Sequence, residues 1–371
     1  MIPPRPALLT AMIALALLPP LSAAQAQGGN RPRQLIPVDP ARAAELYVSN
    51  RPEDHPLADY ARDIADKART DSLFEARSRG VMDFRKVSYK SSVGDLDIPA
   101  YLWQPHKKRG PRGHAAMVWV HGGVHGDVDI GFFPFVREAV ERGYVVIAPD
   151  FRGSTGYGQA FHNAIDYGGY EVDDVTSAYD WLVKNLPQVD PERIGIMGWS
   201  HGGYIALLAV LRDSTPFKAA AAIVPVTNLI FRLSLKGPEY QRYFATEPRL
   251  GGLPYENPDT YIARSPLYLV PKLRIPLLVH VATNDEDVNF VEDQQLVWAL
   301  RAQKPDLAET KIYQDPPGGH SFTWRLNPRT LERDDTPESR DSWNRTWAFF
   351  EWVLRPYQDR SQPEIKPPGG P

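Results

Sequence analysis

Gly198-Trp199-Ser200-His201-Gly202 joins an apolar strand-like run, Arg193 to Met197, to a helix-like run, Tyr204 to Leu211, with almost no loop between them. Gly-x-Ser-x-Gly between a strand and a helix describes a nucleophile elbow, a turn tight enough to strain the serine backbone and hold its hydroxyl at the carboxyl edge of a sheet. Glycines two residues before and two after the serine leave out the side chains that would collide there. The backbone N–H of His201 points into the same small volume. A serine hydroxyl becomes a useful nucleophile when a neutral imidazole takes its proton and a carboxylate orients that imidazole. Taken alone, the pentapeptide also fits a glycine-rich turn that happens to hold a serine. A base, an acid and a second anion donor must come from elsewhere in the chain.

Downstream residues supply the first two in order. The strand-like run Pro276 to Ala282 ends in Thr283-Asn284-Asp285-Glu286-Asp287-Val288, a carboxylate cluster at a carboxyl end. The next run, Lys311 to Gln314, ends in Asp315-Pro316-Pro317-Gly318-Gly319-His320, whose glycines let the loop carry His320 across the sheet edge. Serine, acid, histidine is the chain order of hydrolases built on this elbow. An aspartate-rich turn is usually a solvated turn, and a histidine in a glycine-rich loop is usually a surface residue. Three successive strand ends carrying all three groups in order make coincidence a poor account. For the anion hole, Ala115 to Val120 runs into His121-Gly122-Gly123-Val124-His125-Gly126. The Gly122–Gly123 turn can bring a second N–H beside that of His201, and one such donor is worth about 2.7–4 kcal/mol in the transition state. His121 and His125 have no carboxylate or third histidine at ligand spacing, so neither a metal nor another cofactor is expected.

These loops need a sheet to hold them. From residue 115 onward, strand, glycine-rich turn and helix repeat, which predicts an α/β fold with a mostly parallel central sheet and helices on both faces. Ligands in such sheets bind at the carboxyl ends of the strands. Thr227 to Ser265 breaks the alternation; it is rich in Pro and Gly and carries Phe231, Tyr240, Tyr243, Phe244, Tyr255 and Tyr261. A long aromatic insertion in a compact domain reads as a small cap beside the site. Upstream, Val87 to Tyr89 and Ile98 to Trp103 alternate about Val93-Gly94-Asp95 and predict a β-hairpin. Ala41 to Val48 and Pro56 to Arg79 predict helices, the second with Leu57, Tyr60, Ile64, Ala68 and Leu73-Phe74 at helical spacing. No chemistry attaches to that segment.

Residues 1–26 read as a signal peptide: Arg5, an uncharged and largely apolar run from Ala7 to Leu18, Pro19-Pro20, then small residues in Ala24-Gln25-Ala26. The apolar run falls short of the roughly 20 residues that span a bilayer. Export to the periplasm or the medium is expected, with no membrane contact after cleavage. Removing 26 of 371 residues leaves 345, enough for one large α/β domain, and losing Arg5 takes the net charge from −3 to −4. That mild acidity, with no basic stripe, argues against a nucleic-acid partner. The absence of cysteine excludes disulfides, thiolate metal sites and a cysteine nucleophile together. The expected layout is a signal peptide over 1–26, a helical segment over 27–84, an α/β domain over 85–358 and a flexible tail over 359–371.

With these residues assembled, the chain resembles the prolyl oligopeptidase family of serine peptidases in its α/β-hydrolase catalytic domain. The matching pieces are Val120-His121-Gly122-Gly123, Asp150-Phe151-Arg152-Gly153-Ser154-Thr155-Gly156-Tyr157-Gly158, Gly198-Trp199-Ser200-His201-Gly202-Gly203-Tyr204, Ser265-Pro266, Ile275-Pro276-Leu277, Asp285-Glu286-Asp287-Val288 and Gly319-His320-Ser321-Phe322. They run in family order from about residue 85 to 355. The resemblance implies Ser200 as nucleophile, Asp285 as acid, His320 as base, and His201 with Gly122 and Gly123 as anion hole. It prefers Asp285 to Asp287 because the family places a valine three residues after its acid, here Val288. It also implies a side-chain pocket partly lined from Val226 to Phe231, which here offers Val226, Leu229 and Phe231. Three departures stand out, the first being that the turn Ala282-Thr283-Asn284-Asp285 reads one residue longer than in family members with Gly-Thr-Ala-Asp. Val124 replaces a usual proline, and the N-terminal β-propeller that gates many relatives has no counterpart in residues 27–85. The expected function is therefore an exported serine hydrolase, a peptidase of short peptides working through an acyl-enzyme. A carboxylesterase with the same triad, acting on a small ester, is the alternative, and a non-catalytic binding protein on this scaffold is a remote one.

Overall fold

Two strands that meet the chain's glycine loops occupy the middle of one sheet. The computed structural model describes residues 59–107, 113–245 and 249–356. The expected signal peptide, the helix at Ala41 to Val48 and the tail over 359–371 lie outside the described residues, as does the side chain of Tyr243. The strands are β1 (Met82–Lys90), β2 (Asp97–Pro105), β3 (His114–Val120), β4 (Val145–Pro149), β5 (Val189–Trp199), β6 (Ala219–Ile223), β7 (Leu277–Ala282) and β8 (Ala308–Tyr313). They lie in the order β1-β2-β4-β3-β5-β6-β7-β8. The hairpin β1–β2 and the pair β2–β4 are antiparallel, and every other pair is parallel. The chain leaves β3 towards β4 on one side and returns to β5 on the other. The carboxyl ends of β3 and β5 thus flank the point where the winding reverses, where open α/β sheets bind ligands.

The helices are α1 (Tyr60–Ser78), α2 (Phe133–Glu141), α3 (Gln159–His162), α4 (Tyr170–Asn185), α5 (His201–Val210), α6 (Leu229–Lys236), α7 (Pro238–Ala245), α8 (Pro258–Ala263), α9 (Pro266–Leu269), α10 (Phe290–Gln303) and α11 (Pro337–Leu354). Alternate residues of β3, Ala115, Met117 and Trp119, pack with Phe135 and Val136 of α2 and with Trp343, Trp347 and Phe350 of α11. The pair α4 and α5 packs on β3 and β5 as well. Strands β3, β4, β6 and β7 are buried along their whole lengths, which is why, apart from His114 and His280, they read as continuous apolar runs rather than alternating ones.

Three elements differ from the sequence expectation. The sheet begins at Met82, inside the segment expected to be helical up to residue 84, because β1 pairs with β2 out to Met82↔Pro105. Helix α5 begins at His201 rather than Tyr204, its first turn containing Gly202 and Gly203, residues whose poor helix propensity hides them from a pattern reading. The insertion is largely helical: α6, α7 and α8 fill it, with Tyr240, Phe244 and Tyr261 wholly buried and Tyr255 exposed. Its short helices lack the long apolar period that sequence reading depends on.

Candidate active site

Ser200, between the end of β5 and the first residue of α5, has φ 57° and ψ −122°, a positive-φ conformation for a residue with a side chain. Such strain costs about 1–3 kcal/mol and persists only where neighbours over-determine it. Here the Ser200 N–H donates to the Ile223 carbonyl at 2.9 Å and its own carbonyl accepts from Tyr204 N–H at 2.9 Å. The flanking glycines serve different contacts. A Cβ on Gly198 would lie 2.2 Å from the Gly202 backbone, inside the elbow itself. A Cβ on Gly202 would lie 2.3 Å from the Val120 carbonyl oxygen and 2.4 Å from that of His121. Gly202 therefore lets α5 abut the end of β3, a neighbouring strand, rather than its own.

Nε2 of His320 lies 2.8 Å from the Ser200 Oγ, and its Nδ1 lies 2.7 Å from Oδ2 of Asp285. All three side chains are buried, Ser200 3% exposed and His320 8%. His320 sits in a short 3-10 turn, Gly319–Ser321. Gly319 has a positive φ, and a Cβ there would come 2.8 Å from the Asn284 carbonyl oxygen, so the His320 loop rests directly on the Asp285 loop. Thr283 Oγ1 donates to Asp315 and Asn284 Nδ2 to the Pro316 carbonyl, fastening the two loops together. The other Asp285 oxygen, Oδ1, accepts from the N–H groups of Asp287 and Val288 at 2.9 and 2.8 Å. The structure thus brings Asp285, not Asp287, to the imidazole. Asp287 turns its carbonyl to Arg232 Nη1 at 3.1 Å.

The backbone N–H of His201 is the first of α5, where no carbonyl one turn back exists to accept it and the helix dipole favours negative charge. The His201 side chain is wholly buried, and neither ring nitrogen has a hydrogen-bond partner. Burial, then the Arg232 charge, depresses its pKa to about 3, so the ring is neutral. Its Nε2 lies 3.5 Å from Oε1 of Glu171. Burial first and Asp166 next push the Glu171 carboxyl up to about 8, which makes this a contact between two neutral groups at pH 7 rather than an ion pair. Opposite the elbow, Gly122 and Gly123 close a turn whose compactness requires glycine. A Cβ on Gly122 would lie 2.3 Å from the Trp199 ring, and Gly123 has φ 75°.

Of the expected pocket residues, Val226 and Leu229 are buried and Phe231 is half-buried at the start of α6. None of the three lines the cavity of about 190 Å³ beside the elbow, whose walls include Trp119, Gly122, Asp127, Phe132, Trp199 and Trp324. One of its walls, Trp199, also touches His320: its Nε1 donates to the His320 carbonyl at 3.0 Å, and the two rings sit 5.0 Å apart. Among the described residues no group of three or more His, Asp or Glu side chains is arranged to hold a metal ion. His121 instead places Nε2 2.9 Å from Ser154 Oγ, and burial lowers its pKa.

Residues 132–346 match the prolyl oligopeptidase family along more than half of the chain. The chain belongs to that family. An uncharacterized peptidase of Bacillus subtilis, YuxL, is 29% identical over 292 residues, covering 78% of this chain and 42% of the relative. Dipeptidyl aminopeptidase BIII of Pseudoxanthomonas mexicana is 31% identical over 210 residues, 56% of this chain and 30% of the relative. Among solved structures, an acylaminoacyl peptidase in complex with Z-Gly-Gly-Phe-chloromethyl ketone superposes with a TM-score of 0.62 at 25% identity, over 75% of this chain and 43% of that one. The chain thus spans well under half the length of these relatives. This prolyl oligopeptidase-family chain has the α/β-hydrolase sheet expected of it, with an eight-stranded, mostly parallel order.

Two groups at this site escaped the sequence reading. Trp199 was legible only as a position inside the elbow motif, yet its indole N–H anchors the His320 loop. Arg232 of α6 is wholly buried and, besides Asp287, reaches Tyr240 and Glu292. Glu292 in turn accepts from the N–H groups of Thr227 and Asn228 at 2.8 and 3.1 Å. The signal for that network was a lone arginine within an otherwise apolar stretch, Leu229-Ile230-Phe231-Arg232-Leu233.

Proposed function

We propose that this protein is a serine peptidase in which Ser200 is the nucleophile, His320 the general base and Asp285 the group that orients the imidazole. The continuous relay of 2.8 Å from Ser200 Oγ to His320 and 2.7 Å from His320 to Asp285 is the observation that carries this reading. His320 Nε2 takes the Ser200 proton as Oγ attacks the substrate carbonyl carbon. The oxyanion that forms is received by the N–H of His201 and a backbone N–H of the Gly122–Gly123 turn. The imidazolium then gives its proton to the leaving amine, which departs on the His320 side, and an acyl-enzyme remains. Water, deprotonated by the same imidazole, releases the acid and restores Ser200. The relatives' names as peptidases favour peptides over esters as substrates. The apolar run at residues 7–18, followed by Ala24-Gln25-Ala26, supports export.

A fluorophosphonate probe tests the centre of this reading: wild type is labelled and Ser200→Ala is not, whereas equal labelling of both removes Ser200 from the mechanism. A parallel panel of aminoacyl, dipeptidyl and short acyl-ester substrates tests the class. Ester turnover without amide turnover would replace the peptidase reading with a carboxylesterase.

A further inference from the structure

Helix α1 carries a lysine that the reaction chemistry does not use and that the fold has buried. Lys67 is 3% exposed, and lysine is almost never buried so fully unless it is paired. Its Nζ lies 2.7 Å from Asp127 Oδ2, 2.7 Å from Asp150 Oδ2 and 3.0 Å from the Val128 carbonyl oxygen. Burial works against its charge, but the charges of Asp150 and Asp127 outweigh burial and raise its pKa above the ordinary lysine value. Rings of Tyr101 and Tyr157 flank the ammonium at 4.9 and 5.5 Å.

Two of the three acceptors, Asp127 and Val128, are the residues that leave the His121–Gly126 turn. That turn is folded onto itself: a Cβ on Gly126 would lie 2.1 Å from the Gly122 carbonyl oxygen, and one on Gly123 would lie 3.2 Å from Gly126 N. A displacement at 127–128 is therefore passed to Gly122 and Gly123 with no slack between them. Asp150 grips the same leg from the other side, accepting from Val128 N–H at 2.7 Å while Tyr157 O–H donates to its Oδ2 at 2.5 Å. The segment that follows Asp150 is shaped around the lysine. A Cβ on Gly156, which has φ 94°, would sit 2.8 Å from the Lys67 Cβ.

We propose that Lys67 is a positioning residue of the anion hole, holding the Gly122–Gly123 turn in its working place through Asp127, Val128 and Asp150. The N-terminal helix thereby acts on the reaction although it lies on another part of the chain from the elbow. The inference rests on the Ser200 chemistry proposed above.

Turnover of a p-nitrophenyl ester and of its thionoester is measured for wild type, Lys67→Met, Asp127→Asn and Lys86→Met, per active site titrated with the fluorophosphonate. A thiocarbonyl sulfur accepts hydrogen bonds poorly, so the oxygen-to-sulfur ratio of kcat reports the anion hole rather than the amount of folded protein. Removing a whole anion-hole donor costs roughly 100- to 1000-fold in kcat; displacing the turn in Lys67→Met is expected to cost about 10- to 100-fold, with KM within about twofold and a lower oxygen-to-sulfur ratio. Asp127→Asn moves all three readouts the same way by less, and decides the matter if Lys67→Met does not fold. Lys86→Met removes a second α1–sheet ion pair, to Asp71 at 2.7 Å, whose ammonium shares the Tyr101 and Tyr157 rings with Lys67 but touches no residue of 121–128, and it leaves the ratio at the wild-type value. An unchanged ratio in both Lys67→Met and Asp127→Asn overturns the proposal, as does an equal fall in Lys86→Met. Absence of Ser200-dependent turnover in wild type would instead mean that the underlying reading has failed.

Discussion

The N–H of Val288 donates to Oδ1 of Asp285 at 2.8 Å, and this bond turns the other carboxylate oxygen towards His320. The Val288 backbone thus closes a short turn that fixes the Asp285 carboxylate rotamer, through a bond that any residue except proline can donate. Asp285→Asn is expected to lower kcat by about four orders of magnitude, because an amide there favours the wrong imidazole tautomer. Asp287→Asn, whose carbonyl bond to Arg232 survives the change, stays within about tenfold of wild type. Steady-state kinetics on both variants checks the assignment. Comparable losses in the two would mean that the acid has been placed on the wrong residue.

Gly202 is the contact between the elbow and the start of the His121–Gly126 turn. Alanine there meets two backbone oxygens, at 2.3 and 2.4 Å, and backbone cannot rotate away as a side chain can. Gly202→Ala is expected to destabilise by about 1–3 kcal/mol, as overpacking does, and to lower kcat by shifting His121 and the turn that follows it. Urea denaturation and kcat, measured together, check this. A variant with wild-type values of both would show that α5 and β3 are not in fact tightly apposed.

How much of this was legible in the sequence follows from the range of the interactions. The elbow, the two loops at the ends of β7 and β8 and the glycine turn after β3 are local motifs, each written in consecutive residues with characteristic turn chemistry. Long-range polar pairs were not legible. Lys67 looks like any lysine on the polar face of an amphipathic helix until β1 and β2 bring it within 2.7 Å of Asp150, 83 positions further along the chain. Arg232 and Glu292 likewise lie on separate helices, and nothing in either local sequence names the other. The helices of the insertion were missed because they are short and each is stabilised by burying a few aromatics rather than by a repeating apolar stripe.

The role proposed for His201 belongs to its backbone, and its side chain makes a distinct prediction. Both ring nitrogens are without hydrogen bonds and the ring packs among Tyr167, Tyr204 and Phe151. His201→Phe should therefore keep kcat within about tenfold while costing up to about 1–3 kcal/mol of stability through its extra volume. A loss of several orders of magnitude in kcat, with the fold intact by circular dichroism, would assign the imidazole itself a part in the reaction.

Glu171 gives stability a pH dependence whose sign can be worked out. In the unfolded chain its carboxyl titrates near the ordinary value of 4.5, and in the fold burial moves it to about 8. Below the lower value the group is protonated in both states and contributes nothing to the difference. Between the two values the unfolded chain releases a proton that the folded protein still holds, so stability falls as pH rises, by about 1.4 kcal/mol per pH unit for one proton. Above the folded value the loss is complete. Glutamine mimics the protonated acid and can keep the acceptor that Oε1 offers to Gly168 N–H at 2.5 Å. Glu171→Gln should match wild type near pH 4 and become progressively more stable than it up to about pH 8, flattening the curve by up to one proton's worth of slope. Urea unfolding of the two proteins at pH 4, 6 and 8 measures this directly. Parallel curves would mean that Glu171 is ionised in the fold, and its contact with His201 would then have to be treated as a charged one.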